Sequence, residues 1–229
     1  MQPTYLPWAG YFGLLDYVDL FVLLDNVKFS RSTWQHRNQI KGPNGVVLLS
    51  LPIMSSGLGS QLIQDVKIDL SASPTISHLK SIRHSYSKYQ FFDEVLVAIE
   101  DIFNSPNFLL SDQNTKLILE ISRMLGITKP IIKASDLEVS GRKVDLLISI
   151  CKAVGATEYV SPPGSKVYLE DTSLFEEANI TFTYYDFIYP TYNQKVGGFI
   201  SHLSILDMLF NLGPAASIEL IRNSIQNSI

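Results

Sequence analysis

The 229-residue chain is 46% hydrophobic and 17% charged, with a formal net charge of −4. That composition excludes a disordered chain and supplies a sizeable core. The absence of a basic stripe argues against nucleic-acid readout, and a single cysteine excludes an internal disulfide.

"DLFVLLD" (Asp19 to Asp25) is a short apolar run bounded by acids and reads as a buried strand. "VVLLSLPI" (Val46 to Ile53) reads as a second, entered by the turn "KGPNG". "IQDVKIDL" (Ile63 to Leu70) alternates and reads as a third. Ser73 before Pro74 predicts an N-cap with proline at the first helical position. "FFDEVLVAIEDIF" predicts a further helix, and "SDQNTKLILEISRMLG" another, capped at Ser111 and stopped by Gly126. "KPIIKASDL" is a strand and loop, and "RKVDLLISICKAVG" an amphipathic helix ending at a glycine. "ATEYVSPPG" and "ITFTYYDFIYP" are strands. "LSILDMLFNLGP" is a helix stopped by Gly213 and Pro214, and "AASIELIRNSI" follows it.

Strands alternating with helices predict an α/β fold with a partly parallel sheet flanked by helices, for which a Rossmann-like arrangement is one solution. The chain reads as one domain, 1–229, with room for a helical subdomain around 73–126. Ligands of such sheets bind beyond the carboxyl ends of the strands, which points to "VSPPGS" and to the loop after "FVLLD". No apolar run reaches the roughly 18 residues of a membrane span. The first residues lack the order of a signal peptide, so a cytoplasmic protein is expected.

Dinucleotide, P-loop, zinc-peptidase and nucleophile-elbow motifs are absent, and the four histidines lack metal spacing. No metal and no cofactor is therefore expected. Cys151, mid-stripe on a helix, reads as a small core residue. Four polar-aromatic clusters remain. In "QPTYLPWAGYF", Tyr5, Trp8 and Tyr11 can supply flat walls and Gln2 a donor and an acceptor. In "DNVKFSRSTWQHRNQIK", Gln35, Arg37 and Asn38 can form a fork for a carboxylate, phosphate or sugar, or else lock two loops together. In "SPPGSKVYL", Ser161, Gly164 and Ser165 lie in a rigid turn suited to an anion or to hydroxyls, or to a plain connector. Asp207 and Asn211 share an otherwise apolar helix face, where a buried carboxylate needs a partner.

Taken together, "QPTYLPWAGYF", "DLFVLLDNVKFSRSTWQHRNQI", "YVSPPGSKVYL" and "FISHLSILDMLFNLG" resemble the WbqC-like protein family over nearly the whole chain. The resemblance implies a setting in bacterial O-antigen and other surface-polysaccharide biosynthesis. The activity it implies is transfer of an aminoacyl group, glycyl among the options, to a sugar on a nucleotide or lipid carrier. The implied partners are that sugar nucleotide or lipid-linked sugar and an already activated aminoacyl donor. In this reading Tyr5, Trp8, Tyr11 and Trp34 stack on sugar or base, Arg37 and Lys41 face phosphate or carboxylate, and Gln35 and Asn38 fix hydroxyls. Asp25 or Asp207 takes a proton. The alternative is a non-catalytic sugar-nucleotide binder or glycosyltransferase accessory. The opening also resembles the H-x-G-H signature of nucleotidylyltransferases, with Trp8 and Tyr11 in place of its histidines. Without imidazoles, adenylylating chemistry is not implied. The spatial expectation is that Trp8, Arg37 and Ser161 meet around one hollow.

Overall fold

A computed structural model describes residues 1–31, 33–54, 59–162, 164 and 172–226. In chain order these form α1 (Ala9–Tyr17), β1 (Phe21–Leu23), β2 (Arg37–Gly42), β3 (Gly45–Ser50), β4 (Ile53–Met54), β5 (Lys67–Ile68), α2 (Pro74–Tyr86), α3 (Phe92–Asn104) and α4 (Leu110–Met124). Then follow β6 (Ile131–Lys133), α5 (Val144–Ala153), β7 (Glu158–Ser161), α6 (Ser173–Glu177), β8 (Thr181–Tyr184), β9 (Asp186–Phe187), α7 (Ile205–Arg222) and β10 (Ile225–Gln226).

The architecture is mixed α/β and partly parallel. β1 pairs in parallel with β6, and β7 with β8, while β2–β3, β4–β5 and β9–β10 are antiparallel. Among the described residues these are five separate two-stranded pairs, so the single sheet of a Rossmann-like arrangement is not formed. One apolar cluster runs from Tyr5 through Leu79, Val95 and Ile121 to Ile221, so α2, α3 and α4 share their core with α1 and α7. A smaller cluster under β7 and β8 holds Leu147, Cys151, Phe175 and Ile180.

Several local outcomes differ from the sequence expectation, each for a physical reason. Arg37–Gly42 is a strand rather than loop, because the turn at Gly42 and Gly45 folds it back onto β3, Arg37 opposite Ser50. Ile63–Asp65 is a single 3-10 turn, which leaves only Lys67–Ile68 as strand. Ser73 takes a left-handed conformation (φ 47°) without a side-chain cap, though Pro74 does open the helix. α4 starts one residue before Ser111, whose hydroxyl is used elsewhere. α6 was not expected at all. Gly126 and Gly155 end α4 and α5 at φ +70° and +68° as read, since only glycine takes that conformation without cost.

Gly213 breaks α7 at φ 77° and ψ 166°, and Pro214 opens the second stretch. Gly10 answers a close approach. A Cβ there would lie 2.2 Å from the Trp8 ring.

Candidate functional site

β2 lays the polar run 35–41 against the loop of residues 2–8. Gln35 donates its amide to Gln2 Oε1 at 2.7 Å and accepts from the Ser30 N–H at 2.8 Å. Asn38 donates Nδ2 to the carbonyls of Tyr5 (3.1 Å) and Leu6 (2.7 Å). The Tyr5 N–H donates to the Trp34 carbonyl, and the Tyr11 hydroxyl to the Gln2 carbonyl. Gln35 and Asn38 are buried, so these amides fasten two backbone segments to one another. Tyr5 and Tyr11 are fully buried core residues. The Tyr5 hydroxyl lies 2.8 Å from His78 Nδ1, and burial lowers that imidazole's pKa to about 4.

The same strand carries Lys41 to a second centre, built on α7. Ser204 caps this helix, its side chain accepting from the Leu206 N–H, which places Asp207 in the first turn. The Asp207 carboxylate is inaccessible to solvent. It accepts from the Tyr86 hydroxyl (2.8 Å), the Tyr192 hydroxyl (2.8 Å) and Gln194 Nε2 (2.9 Å). Burial raises its pKa above the ordinary carboxylate value, while Tyr86, Tyr192, Lys41 and Gln194 pull the other way. Lys41 Nζ donates to Gln194 Oε1 at 2.8 Å and to the Gly198 carbonyl at 2.6 Å. Asn211 donates to the Asp207 carbonyl and accepts from the Lys195 N–H. A buried ammonium, a buried carboxylate and two carboxamides thus hold the irregular segment 188–203 down over α7.

That segment also forms an aromatic stack against the N-terminal loop. The Trp8 ring lies 6.0 Å from Tyr189 in a stacked geometry and 5.3 Å from His202, and Phe199 adjoins Tyr189. The backbone joins the two elements as well, through Ile205 N to the Pro7 carbonyl and a bridge from Trp8 to Ser204.

Asp25 lies just past the carboxyl end of β1. It accepts from the Ser135 N–H (3.0 Å) and hydroxyl (2.8 Å), just past the end of β6, and from Ser111 Oγ (3.2 Å). One turn along α4, Asn114 donates to the carbonyls of Pro3 (3.1 Å) and Gln35 (2.7 Å). α4 therefore links the strand ends to the N-terminal loop.

The structure thus brings Gln2, Tyr5, Tyr11, Gln35 and Asn38 together in one interlock. Lys41, Asp207 and Asn211 form a contiguous centre, joined to Trp8 through Ser204. Trp34 is half exposed, with the Arg37 guanidinium 5.8 Å from its ring centroid. Ser161 is buried at the end of β7, where its carbonyl accepts from Tyr185 N. Gly164 is exposed, and Ser165 lies outside the described residues. Trp8 packs on 187–202, Arg37 beside Trp34, and Ser161 beside β8. Tyr86, Tyr192 and Gln194 were missed in the sequence. The run "YPTYNQ" carried the same aromatic-amide signal as the opening segment.

The family model for the WbqC-like protein family matches residues 2–219. The Mycobacterium tuberculosis protein named "Uncharacterized protein Rv1507c" is 33% identical over 218 residues, covering 94% of each chain. No solved structure matches.

Proposed function

Because this chain belongs to the WbqC-like protein family, we propose that it is a transferase of bacterial O-antigen or surface-polysaccharide biosynthesis. It places an aminoacyl group, with glycyl the first to test, on a sugar held by a nucleotide or lipid carrier. The observation that carries the reading is Asp207. It is a fully buried carboxylate with raised pKa, beside a buried lysine and held by the hydroxyls of Tyr86 and Tyr192. A general base works best when its pKa is moved toward the working pH, and burial does that here. Asp25, held by three donors at the strand ends, serves in this reading as a clamp.

In the proposed step the sugar amine or hydroxyl attacks the acyl carbon of an activated donor. The new C–N or C–O bond forms, the donor's carrier leaves with the electron pair of the bond that breaks, and Asp207 takes the attacking group's proton. Trp8, Tyr189 and His202 offer a flat wall for the sugar ring. Trp34, half exposed, with the partly buried Arg37 guanidinium beside its ring, offers a cation–aromatic pair for the phosphate or carboxylate of the carrier. Segment 188–203 must lift for this to happen, because Asp207 is closed to solvent beneath it.

The test is mass spectrometry of amino-sugar nucleotides incubated with charged aminoacyl donors. The wild-type chain gives a product heavier by one aminoacyl residue. Asp207→Asn lowers the rate by about a hundredfold or more. The wild-type rate falls as pH is lowered, with its apparent midpoint above 3.8. A broad donor panel with no mass gain removes the reading.

A non-catalytic sugar-nucleotide binder is the second reading. It is favoured by the fact that Asp207 already accepts three hydrogen bonds, as a purely structural carboxylate would. Retention of ligand affinity in Asp207→Asn with loss of transfer supports the enzyme, and retention of both supports the binder.

A further inference from the structure

Residues 45–54 read Gly-Val-Val-Leu-Leu-Ser-Leu-Pro-Ile-Met, apolar at nearly every position. Such a run suits a strand covered on both faces. Here only one face is covered. Val46, Leu48, Ser50, Pro52 and Met54 are exposed, and the residues between them are not. The bare face extends past the strand at two points. Ser50 stands opposite Arg37, whose guanidinium lies 5.8 Å from the Trp34 ring centroid. Met54 stands opposite Lys67, whose ammonium lies 5.5 Å from the Phe108 ring centroid. Residues opposite one another in an antiparallel pair share a face. Trp34, Val46, Leu48, Met54 and Phe108 therefore follow one continuous band, each between 44% and 51% exposed. Single exposed apolar side chains are ordinary, whereas a contiguous band marks a docking surface.

The charge beside this band has one sign. Between Asp25 and Asp65 the sequence carries Lys28, Arg31, Arg37 and Lys41 and no acid, although acids outnumber Lys and Arg by 22 to 18 over the whole chain. Lys28 and Arg31 are exposed. His36 holds their loop to the strand, with Nδ1 3.0 Å from the Leu51 carbonyl and Nε2 3.2 Å from the Arg31 carbonyl. Lys67 is exposed at the far end of the band. The acid nearest the strand is Asp69, whose N–H donates to the Pro52 carbonyl and whose carboxylate accepts from the Ser71 N–H at 3.0 Å.

We infer that this band docks the chain on the surface of an anionic lipid bilayer. The aromatic and aliphatic side chains enter the boundary between headgroups and acyl chains, and the flanking cations meet lipid phosphates. A second copy of the chain is the poorer occupant. Two-fold pairing would lay the acid-free stretch against itself, cation toward cation. A nucleic acid offers phosphates but no apolar depth for Val46, Leu48 and Met54. Docking is peripheral, since among the described residues no helix is long and apolar enough to cross a membrane.

The band also orients the rest of the molecule. Lys41 stands opposite Val46 and donates to the Gly198 carbonyl, so segment 188–203 borders the band at its Val46 end, where Phe199 is exposed. A molecule held in the bilayer reaches that segment along the membrane surface. The docking rests on exposure and charge and stands without the transfer reading. Joined to that reading, it favours a lipid-held sugar over a nucleotide-held one.

The test is co-sedimentation of the full chain with vesicles of phosphatidylcholine, alone or with about one part in three phosphatidylglycerol. The chain pellets with the anionic vesicles, stays in solution with the neutral ones, and is largely released by high salt. Leu48→Asp and Phe108→Asp each lower the partition by about tenfold or more, and Arg31→Ala lowers it by about fivefold. Tryptophan emission shifts to the blue on adding anionic vesicles, and Trp34→Phe, which leaves Trp8 as the reporter, abolishes the shift. Unchanged urea midpoints show that the Asp variants are folded, and should Leu48→Asp unfold, Phe108→Asp decides. Both Asp variants keep transfer to a nucleotide-held sugar, which separates failure of docking from failure of the transfer reading. Equal binding to both vesicle types, binding to neither, or undiminished binding of folded Asp variants overturns the inference. So does a concentration-dependent dimer dissolved by Leu48→Asp without vesicle binding, or a preference for an oligonucleotide over the vesicles.

Discussion

His78 packs behind the N-terminal loop, and its ring stays neutral in the fold down to about pH 4, against an ordinary value of 6.5. Between those values the unfolded chain binds a proton that the folded chain does not. The contribution of this residue is therefore whole above pH 6.5 and falls as pH drops toward 4, by about 3 kcal/mol in all. Asp207 acts in the opposite sense, since its pKa is raised in the fold. Its favourable share is present below 3.8 and is lost as pH rises through the shifted value. Urea titrations at pH 4.5 and 7.5 check the histidine. The wild-type midpoint falls on acidification, and that of His78→Phe falls much less. At this scale the sequence marked the unusual residues but not their partners. Asn38 stands out as an amide in an apolar chain, yet its acceptors lie more than thirty residues upstream. The need of Asp207 for a donor was legible from its helix face. That Tyr86 supplies one, 121 positions away, is a property of the folded chain alone.

Among the elements, α7 depends on a single backbone exception. Gly213 sits in a region of conformational space that only glycine occupies freely, and a Cβ there would come within 2.6 Å of the Phe91 ring. Gly213→Ala is expected to cost about 3 kcal/mol, from backbone strain and overpacking together. A lower urea midpoint with an unchanged slope checks it. The glycine-proline pair was readable as a break because both residues act locally. α3, α4 and α5 were equally readable, since their apolar stripes recur at helical spacing over ten or more residues. β2 was not. Arg-Asn-Gln-Ile-Lys-Gly shows no apolar alternation, because its polar side chains are satisfied by the loop and by segment 188–203. α6, five residues long, is too short to show a period.

For the molecule as a whole, strand pairing was the least legible property. The segments joined in β1–β6 lie more than a hundred positions apart, and no local pattern states which edges meet. The mixed, partly parallel architecture was readable from the alternation of elements. The division into five separate two-stranded pairs was not. α4 ties this arrangement together, with Ser111 on Asp25 and Asn114 on Pro3 and Gln35. Hydrogen–deuterium exchange is therefore expected to show the Ser135 and Tyr5 N–H groups opening together in the wild type, and Asn114→Ala to separate their rates, with Tyr5 the faster. Three residues of helix span only about 4.5 Å. The two loops are in effect riveted to the same short bar. Neither can accommodate an incoming molecule by yielding alone, and whatever pulls on the Asp25 carboxylate also tugs the chain's first residues.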